Sequence, residues 1–222
     1  MRKNKNKMNG GNLIKIENFL DYNKKIETED KTFEKLMFIY KMAIKELETK
    51  IEIIKEEFKV LYNYDLIDHI NTRIKEKESI KKKMKKRGLN LTYKEMIENI
   101  NDIAGIRIVC PLKNDIFSIK DIIAKIPGIR ILKEKDYVTN PKESGYSSYH
   151  MILEVPVTLA KKTIYVKAEL QIRTMAMDFW ASLEHKMKYK TEREIHKKES
   201  KEWINCAKLI SKLDNKMMLL NP

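Results

Sequence analysis

The run of residues from 164 to 173 alternates apolar and polar side chains without interruption. Because successive side chains of a β-strand point to opposite sides, one side of this run would be apolar and the other polar. The apolar side holds Ile164, Val166, Ala168, Leu170 and Ile172. The polar side holds Tyr165, Lys167, Glu169, Gln171 and Arg173. The pattern predicts a strand that lies on a core and carries more chemistry on its other face than a solvated strand requires.

Two further segments predict strands that would pack beside it. Residues 146 to 155 alternate in the same way, and Tyr146, Ser148 and His150 would share the polar face. Pairing as a hairpin would place two polar-sided strands next to each other. An apolar run from Ile103 to Cys110 predicts a buried strand, with Asp102 at its start and a proline after it.

Helical periodicity brackets these strands. Apolar residues recur every three or four positions from about Thr32 to Leu61, between 113 and 125, and again from Trp203 to Leu220. We therefore expect an α+β fold, with a mixed sheet of about five strands flanked by helices and long helices at both ends. The expected organisation is a flexible basic segment over 1–30, a helical region over 31–70, the main domain over 71–190 and a C-terminal helix over 191–222.

The chain is strongly basic, since 46 lysines and arginines against 32 acidic residues give a net charge of +14. Such an excess favours a polyanionic partner, namely nucleotides, RNA, DNA or an anionic membrane surface, although a lysine-rich composition can also reflect a genome-wide bias. Nine cations and two acids lie between Arg73 and Arg87, around a helix that would begin near Glu76 and end at Gly88. Basic groups at a helix start can hold phosphates.

Other classes of protein are disfavoured. The two cysteines, Cys110 and Cys206, lack the spacing of a metal site and suit a reduced compartment. No apolar stretch resembles a signal peptide or a membrane span. We expect a soluble cytoplasmic protein with no membrane contact.

The remaining polar residues suggest nucleotide chemistry. Asp102 and Glu169, on neighbouring strands, could together hold Mg²⁺, which prefers oxygen ligands and retains waters and substrate phosphates. Lys135 and Lys142 lie in a loop, where cations would neutralise phosphate charge during group transfer. Tyr146 offers a ring on which a base can stack. These residue types favour a Mg²⁺-dependent nucleotide enzyme over an RNA-binding module.

The order of these motifs resembles the synthetase domain of the RelA/SpoT family, and its small single-domain alarmone synthetases of the RelP and RelQ type most of all. The motifs that carry the resemblance are R73-I-K75 with S79-I80 and K83, D102-I-A-G-I-R107, K135-D-Y137, P141-K142, G145-Y146 with S148 and H150, and E169-L-Q-I-R-T174. The segment M177-D-F-W-A-S-L-E-H-K186 is similar to the one that follows in that family. The resemblance spans roughly residues 72 to 190 and implies a nucleotidyltransferase-like core.

The resemblance also implies a reaction. Members of that family transfer pyrophosphate from ATP to the 3′-hydroxyl of GDP or GTP (and of GMP in some cases), which releases AMP and forms the stringent-response alarmone (p)ppGpp. Asp102 and Glu169 would form the Mg²⁺ site, and Glu169 would also accept the hydroxyl proton. The residues implied for ATP are Arg73, Lys75, Ser79, Lys83 and Arg107. The residues implied for GDP or GTP are Lys135, Lys142, Tyr146, His150, Gln171 and Arg173.

Some family features are absent or altered. The sequence has four histidines and no His-Asp pair, so the resemblance implies a synthetase without hydrolase activity. Ser147 stands where the family often has a basic or amide residue, and residues 69–72 differ from the pattern near the allosteric cleft of RelQ-like members. The RelP or RelQ type therefore stays open. Small members form tetramers through terminal helices, which implies a homotetramer here.

Two alternatives remain at this point. One is a basic RNA-binding module of the same fold with little catalysis, for which RNA would be the partner. The other is a nucleotidyltransferase that acts on a nucleic-acid end and would release pyrophosphate in place of AMP.

Overall fold

The computed structural model describes residues 13–16, 29–190 and 197–220. The strands are β1 (Leu13–Lys15), β2 (His69–Ile74), β3 (Ala104–Cys110), β4 (Arg130–Asp136), β5 (Tyr149–Leu159) and β6 (Lys162–Thr174). The helices are α1 (Glu29–Tyr62), α2 (Lys77–Lys86), α3 (Tyr93–Asn99), α4 (Lys113–Ala124), α5 (Met175–Lys190) and α6 (Lys197–Leu220). Most of the segment predicted as a flexible basic tail, 1–30, lies outside the described residues. The described part of that segment includes β1.

One mixed sheet organises the described part of the chain, in the order β2-β3-β6-β5-β4. β6 is central: it pairs with β3 in parallel and with β5 as an antiparallel hairpin. The predicted α+β fold with a five-stranded mixed sheet and flanking helices is confirmed. The short β1 adds a sixth strand, parallel to the first residues of β6.

The core lies against the apolar side of β6. All five alternating apolar residues, from Ile164 to Ile172, are fully buried. The apolar stripe of α1 packs on this side of the sheet, and its members Leu36, Leu47 and Ile51 have no exposed surface. Burial of apolar area on this scale is the main force that holds a sheet and a helix together. The polar side of β6 is therefore left to face a different environment.

Three strand limits differ from those expected from the sequence. β4 extends to Asp136, so Lys135 is a strand residue and not a loop residue. β5 begins at Tyr149 and runs through Pro156, whereas the sequence suggested a strand from Tyr146 that stops before the proline. Pro156 is tolerated because β4 pairs with β5 only as far as Glu154, so the missing N–H has no partner to lose on that edge.

The C-terminal helix, α6, packs on α5 and on the end of β6. Trp180 of α5 donates a hydrogen bond from Nε1 to the carbonyl of Trp203 in α6, at 3.2 Å. Further along α6, the buried Asp214 accepts a hydrogen bond from the hydroxyl of Thr174, at 2.9 Å. The helix thus contacts the end of β6. Of the helices that the structure describes, none is both long enough and apolar enough to cross a membrane.

Candidate active site

The site lies where β3 and β6 run side by side. Their parallel register places Gly105 opposite Glu169, so Asp102, three residues earlier, lies near the same end of the sheet. On the other side of β6, His150 of β5 pairs with Gln171. The long-range pairing of three strands therefore gathers two acids, a histidine and an amide on one face, as the sequence predicted for the β5–β6 hairpin.

Asp102 is held by two lysines. Its Oδ2 receives Lys75 Nζ at 2.9 Å and Lys83 Nζ at 2.7 Å. Burial would raise the pKa of this carboxyl, but the two lysines outweigh burial and hold the pKa below its usual range. Its Oδ1 is buried and has no hydrogen-bond partner among the described residues. One oxygen of an ionised carboxylate is thus buried without a hydrogen-bond partner, beside a cavity that Asp102 lines.

Glu169 is also an ionised acid. Gln171 donates a hydrogen bond to its Oε2 at 3.0 Å, and His150 Nδ1 lies 3.5 Å from its Oε1. Burial and the charge of Asp102 would raise the pKa of Glu169, but the contacts with His150 and Gln171 keep that pKa below its ordinary value. The opposing effect of Asp102 on this pKa indicates that the two carboxylates are electrostatically close.

A cavity of about 370 Å³ contains both acids and is otherwise strongly basic. Its lining residues include Lys83, Arg87, Asp102, Lys133, Lys135, Tyr137, Lys142, His150 and Glu169. The structure thus brings Lys135, Lys142 and His150, all implied for the guanine nucleotide, together with both carboxylates. Five cations around two acids leave an excess of positive charge that suits a phosphate chain.

Tyr146 contacts His150 and Tyr137, which line this cavity, and lies between two cations. Lys142 Nζ is 4.8 Å from the centre of its ring, and the Arg173 guanidinium is 5.1 Å from it. Tyr137 stands edge to face with Tyr146, and its ring centre lies 4.7 Å from the same lysine nitrogen. The residue types did not single out Tyr137, although it follows Lys135 in a motif that carries the family resemblance.

Three arginines and Gln171 lie beside this cavity. Arg73, Arg107, Gln171 and Glu169 line a second cavity of about 160 Å³. A third, of about 260 Å³, is lined by Arg73, Arg107, Tyr146 and Arg173 together with residues of α5. Burial and the neighbouring Arg173 lower the pKa of Arg107. Its Nε is buried and has no hydrogen-bond partner among the described residues, while the side chain as a whole is 32% exposed and lines both of these cavities.

The residues predicted to bind ATP lie in three different places. Arg73 and Arg107 share two cavities, while Lys75 and Lys83 meet at Asp102. Ser79 lies on the exposed side of α2 and lines none of these three cavities. Asp178 was not among the residues predicted for the site, although its Oδ1 contacts both Arg107 and Arg173. Two signals were available: it lies in the segment from Met177 to Lys186 that resembles the family, and it is in the first turn of α5, after the end of β6.

The two carboxylates fit a divalent cation in part. Within the residues that the structure describes, no cluster of three or more acidic, histidine or cysteine side chains could form a complete metal cage. Mg²⁺ does not require one, because it commonly takes one or two protein carboxylates and completes its shell with waters and substrate phosphates. The unpartnered Oδ1 of Asp102 and the ionised Glu169 match that requirement.

Comparison with known proteins places this site in context. The family model described as the region found in RelA/SpoT proteins matches residues 72–194, more than half of the chain. GTP pyrophosphokinase YwaC of Bacillus subtilis (strain 168) is 43% identical over 182 residues, which cover 82% of this chain and 87% of that protein.

Solved structures agree with the sequence relatives. Small alarmone synthetase 1 from Bacillus subtilis, bound to its product pppGpp, superposes with a TM-score of 0.79 at 31% identity and covers 86% of this chain and 96% of that one. Small alarmone synthetase 2 from Bacillus subtilis gives a TM-score of 0.77 at 40% identity, with coverage of 85% and 97%. From the matched family region, the sequence identity and the shared fold, the chain belongs to the RelA/SpoT family.

Proposed function

We propose that this protein is a GTP/GDP pyrophosphokinase that synthesises (p)ppGpp from ATP and a guanine nucleotide and has no hydrolase activity. One observation carries the proposal: two ionised carboxylates, Asp102 and Glu169, face one basic cavity at the junction of β3 and β6. Relatives of matching length are named GTP pyrophosphokinase, and a structural relative is described as bound to pppGpp.

In the proposed reaction, Glu169 takes the proton of the acceptor 3′-hydroxyl. The oxygen then bonds to the β-phosphorus of ATP, and the bond from that phosphorus to the oxygen bridging the α-phosphate breaks. AMP leaves with the electron pair, and the β- and γ-phosphates remain on the 3′-oxygen. Because the pKa of Glu169 is low, its carboxylate is ionised and ready to accept a proton at neutral pH.

Lysines and arginines supply most of the electrostatic stabilisation. Phosphoryl transfer depends on the positioning of substrates and on the neutralisation of charge as it shifts between oxygens. Arg73 and Arg107 lie on the β3 side of Glu169, where they would bind the donor. Lys135 and Lys142 lie on the β5 side, where they would bind phosphates of the acceptor. Glu169 lines both cavities and therefore stands between the two proposed substrates.

Mg²⁺ is the proposed cofactor, with Asp102 and Glu169 as its protein ligands. When bound, it would neutralise phosphate charge and lower the pKa of the hydroxyl. Lys75 and Lys83, which now hold Oδ2 of Asp102, would then turn part of their charge toward the donor phosphates. Their lysine stems are flexible, so this adjustment costs little.

Tyr146 is the proposed platform for the guanine ring. Of the two cations at its ring, Arg173 is buried and fixed by hydrogen bonds, whereas Lys142 is exposed. Stacking of a base would therefore displace Lys142, whose ammonium group could move onto the nucleotide phosphates. His150, hydrogen-bonded to the Tyr146 hydroxyl at 2.8 Å, lies between that platform and Glu169.

We also propose that the protein assembles as a cytoplasmic homotetramer. The outer surfaces of α5 and α6 expose large apolar side chains, with Phe179 61% exposed and Leu209 64% exposed. Such residues on adjacent helices favour self-association. Sedimentation of the full chain would test this, since a monomer at micromolar concentration contradicts it.

The function can be tested by a product assay. Incubation with ATP, Mg²⁺ and GMP, GDP or GTP should release AMP and yield a 3′-pyrophosphorylated guanine nucleotide. Glu169→Gln should reduce this by at least about 100-fold, because the amide cannot accept the proton. Glu154→Gln is the matched control: Glu154 is also on the hairpin, but it pairs with Arg130 away from the cavity. An unchanged rate in Glu169→Gln, or a wild-type chain that releases no AMP, would contradict the proposal.

The RNA-binding alternative finds no support among the relatives, which are named as enzymes. Two ionised acids at the centre of the basic cavity would also repel a nucleic-acid backbone in the absence of a metal. Release of pyrophosphate in place of AMP in the same assay would identify the nucleotidyltransferase alternative.

A further inference from the structure

The Asp178 carboxylate lies between two guanidinium groups. Its Oδ1 accepts a hydrogen bond from Arg173 Nη1 at 3.0 Å and is 3.2 Å from Arg107 Nη1. The Arg173 side chain is only 5% exposed and that of Asp178 only 16%. Because α5 starts directly after β6, its first turn folds over the last residues of that strand and brings Asp178 onto Arg173.

Arg173 also donates hydrogen bonds to two residues of the site and so links them to Asp178. Its Nη2 donates to the Tyr146 hydroxyl at 2.7 Å and to the Gln171 Oε1 at 2.9 Å. A guanidinium is planar, so fixing one of its nitrogens on Asp178 sets the direction of the other. The position of Arg173 therefore determines where the Tyr146 hydroxyl and the Gln171 amide lie.

Two routes of contacts lead from Arg173 to Glu169, one through Gln171 and the other through Tyr146 and His150. Gln171 donates its Nε2 hydrogen to Oε2 at 3.0 Å. On the second route, the Tyr146 oxygen accepts from Arg173, so its own proton can be donated to His150 Nε2, 2.8 Å away. His150 then carries its proton on Nδ1, the nitrogen that faces Oε1 of Glu169 at 3.5 Å. Each oxygen of the proposed base is thus oriented by one route from Arg173.

We propose that Asp178 is a positioning residue for the acceptor half of the site. It fixes Arg173 and, through Arg173, both the ring that receives guanine and the carboxylate that accepts the hydroxyl proton. When the charge of Asp178 is removed, we expect the nearby guanidinium groups of Arg107 and Arg173, which that carboxylate now bridges, to repel each other and Arg173 to turn away from Tyr146 and Gln171. This inference rests on the proposed pyrophosphokinase activity.

The first test compares Asp178→Asn with Glu154→Gln. The two acids are similarly buried, 16% and 17% exposed, and each pairs with arginine, but Glu154 contacts Arg130 outside the site. With GDP as the varied substrate, Asp178→Asn should lower kcat/KM by about 10- to 100-fold, the effect of losing a charged hydrogen bond. Both a higher KM and a lower kcat are expected, since Tyr146 and Glu169 are both affected. Glu154→Gln should stay within about twofold of wild type.

The second test is a double-mutant cycle with Tyr146→Phe, which keeps the ring and removes the hydroxyl. Asp178 and Tyr146 are coupled through Arg173, so Asp178→Asn should raise the KM for GDP much less in the Tyr146→Phe background than in wild type. In the Tyr146→Phe background the increase should be under about threefold. Asp178→Glu, which keeps the charge, should recover part of kcat/KM. If Asp178→Asn does not fold, Arg173→Lys takes its place in the cycle, because lysine lacks the planar fork.

Several results would overturn the inference while leaving the proposed function intact. One is an equal increase in the KM for GDP in both backgrounds. Another is an Asp178→Asn variant that melts at a lower temperature but, when folded, has wild-type kcat and KM, which would mean a structural role only. A wild-type chain that forms no AMP would instead remove the proposed function and this inference together.

Discussion

Replacing Gly145 by alanine should damage both stability and acceptor binding. Gly145 has a φ of +86°, in the left-handed region, and a Cβ built on it would clash with the Cβ of Ala207 in α6. Left-handed backbone costs a residue with a side chain about 1–2 kcal/mol. Forcing a methyl group into a packed contact typically adds about 1–3 kcal/mol. The free energy of unfolding should therefore fall by about 2–5 kcal/mol.

Gly88 provides the matched control. Its φ is +68°, and an added Cβ would meet no atom within 4 Å, so Gly88→Ala should show the backbone cost alone. Urea unfolding at one fixed protein concentration can be followed by tryptophan fluorescence, because Trp180 and Trp203 pack edge to face, 6.0 Å apart, between α5 and α6. The Gly145→Ala variant should also show a raised KM for GDP, since Tyr146 is the next residue.

A reversal variant isolates the steric contribution. Adding Ala207→Gly to Gly145→Ala removes the Ala207 methyl group with which the new side chain clashes. The glycine lowers the stability of the helix by about 1 kcal/mol through its poorer helix propensity. The two substitutions together should then cost less than the sum of their separate costs, by about 1–3 kcal/mol. Equal destabilisation by Gly145→Ala and Gly88→Ala, or strictly additive costs in the double variant, would refute the reasoning.

Three other outcomes are expected. In an assay of AMP release, Asp102→Asn should lower the rate by more than about 100-fold, since it weakens the proposed Mg²⁺ site. In the same assay, chelation of the metal should abolish wild-type turnover, and added Mg²⁺ should restore it. Glu169 has a lowered pKa, so the profile of kcat/KM against pH should show no loss from its protonation above about pH 5; a limb near pH 7 that disappears in Glu169→Gln would contradict this. Burial raises the pKa of Asp214, so its carboxyl binds a proton more tightly in the folded state than in the unfolded state. The contribution of this proton binding to the free energy of unfolding therefore falls as the pH rises from about 4 through the raised pKa. Melting experiments should accordingly show that Asp214→Asn gains stability relative to wild type between pH 4 and pH 7, and a constant difference would count against it.

The parts of the fold that the sequence predicts well are those with strong local patterns. The alternation in β6 determined which side is buried, and the periodicity of α1 predicted a helix that extends by only a few residues beyond the expected limits. The hairpin of β5 and β6 followed from two alternating runs with a short connection. In each case burial of one face is the dominant energy, and burial leaves a period in the sequence.

Other features leave no such period. β2, a mostly exposed edge strand that carries Arg73, was not predicted, because its residues pair only with β3 and do not alternate. The contacts of Lys75 and Lys83 with Asp102 join residues far apart in the chain, so residue types alone suggested phosphate binding and not an acid partner. The family resemblance supplied the candidate residues of the site. Which of them touch, as Arg173 touches Tyr146, depends on the three-dimensional fold and has no local signature in the sequence.

The parallel pairing of β3 with β6 also affects when the site can form. Gly105 and Glu169 are neighbours in the sheet but are separated by more than sixty residues of chain, which include α4, β4 and β5. Contacts of such long sequence separation form late, because the entropy of closing the loop must be overcome first. During synthesis, Glu169 emerges after Asp102, Tyr146 and His150. A chain on the ribosome would therefore acquire its proposed base after the other residues that line the same cavity, and activity should appear only once β6 has inserted between two strands that were already made.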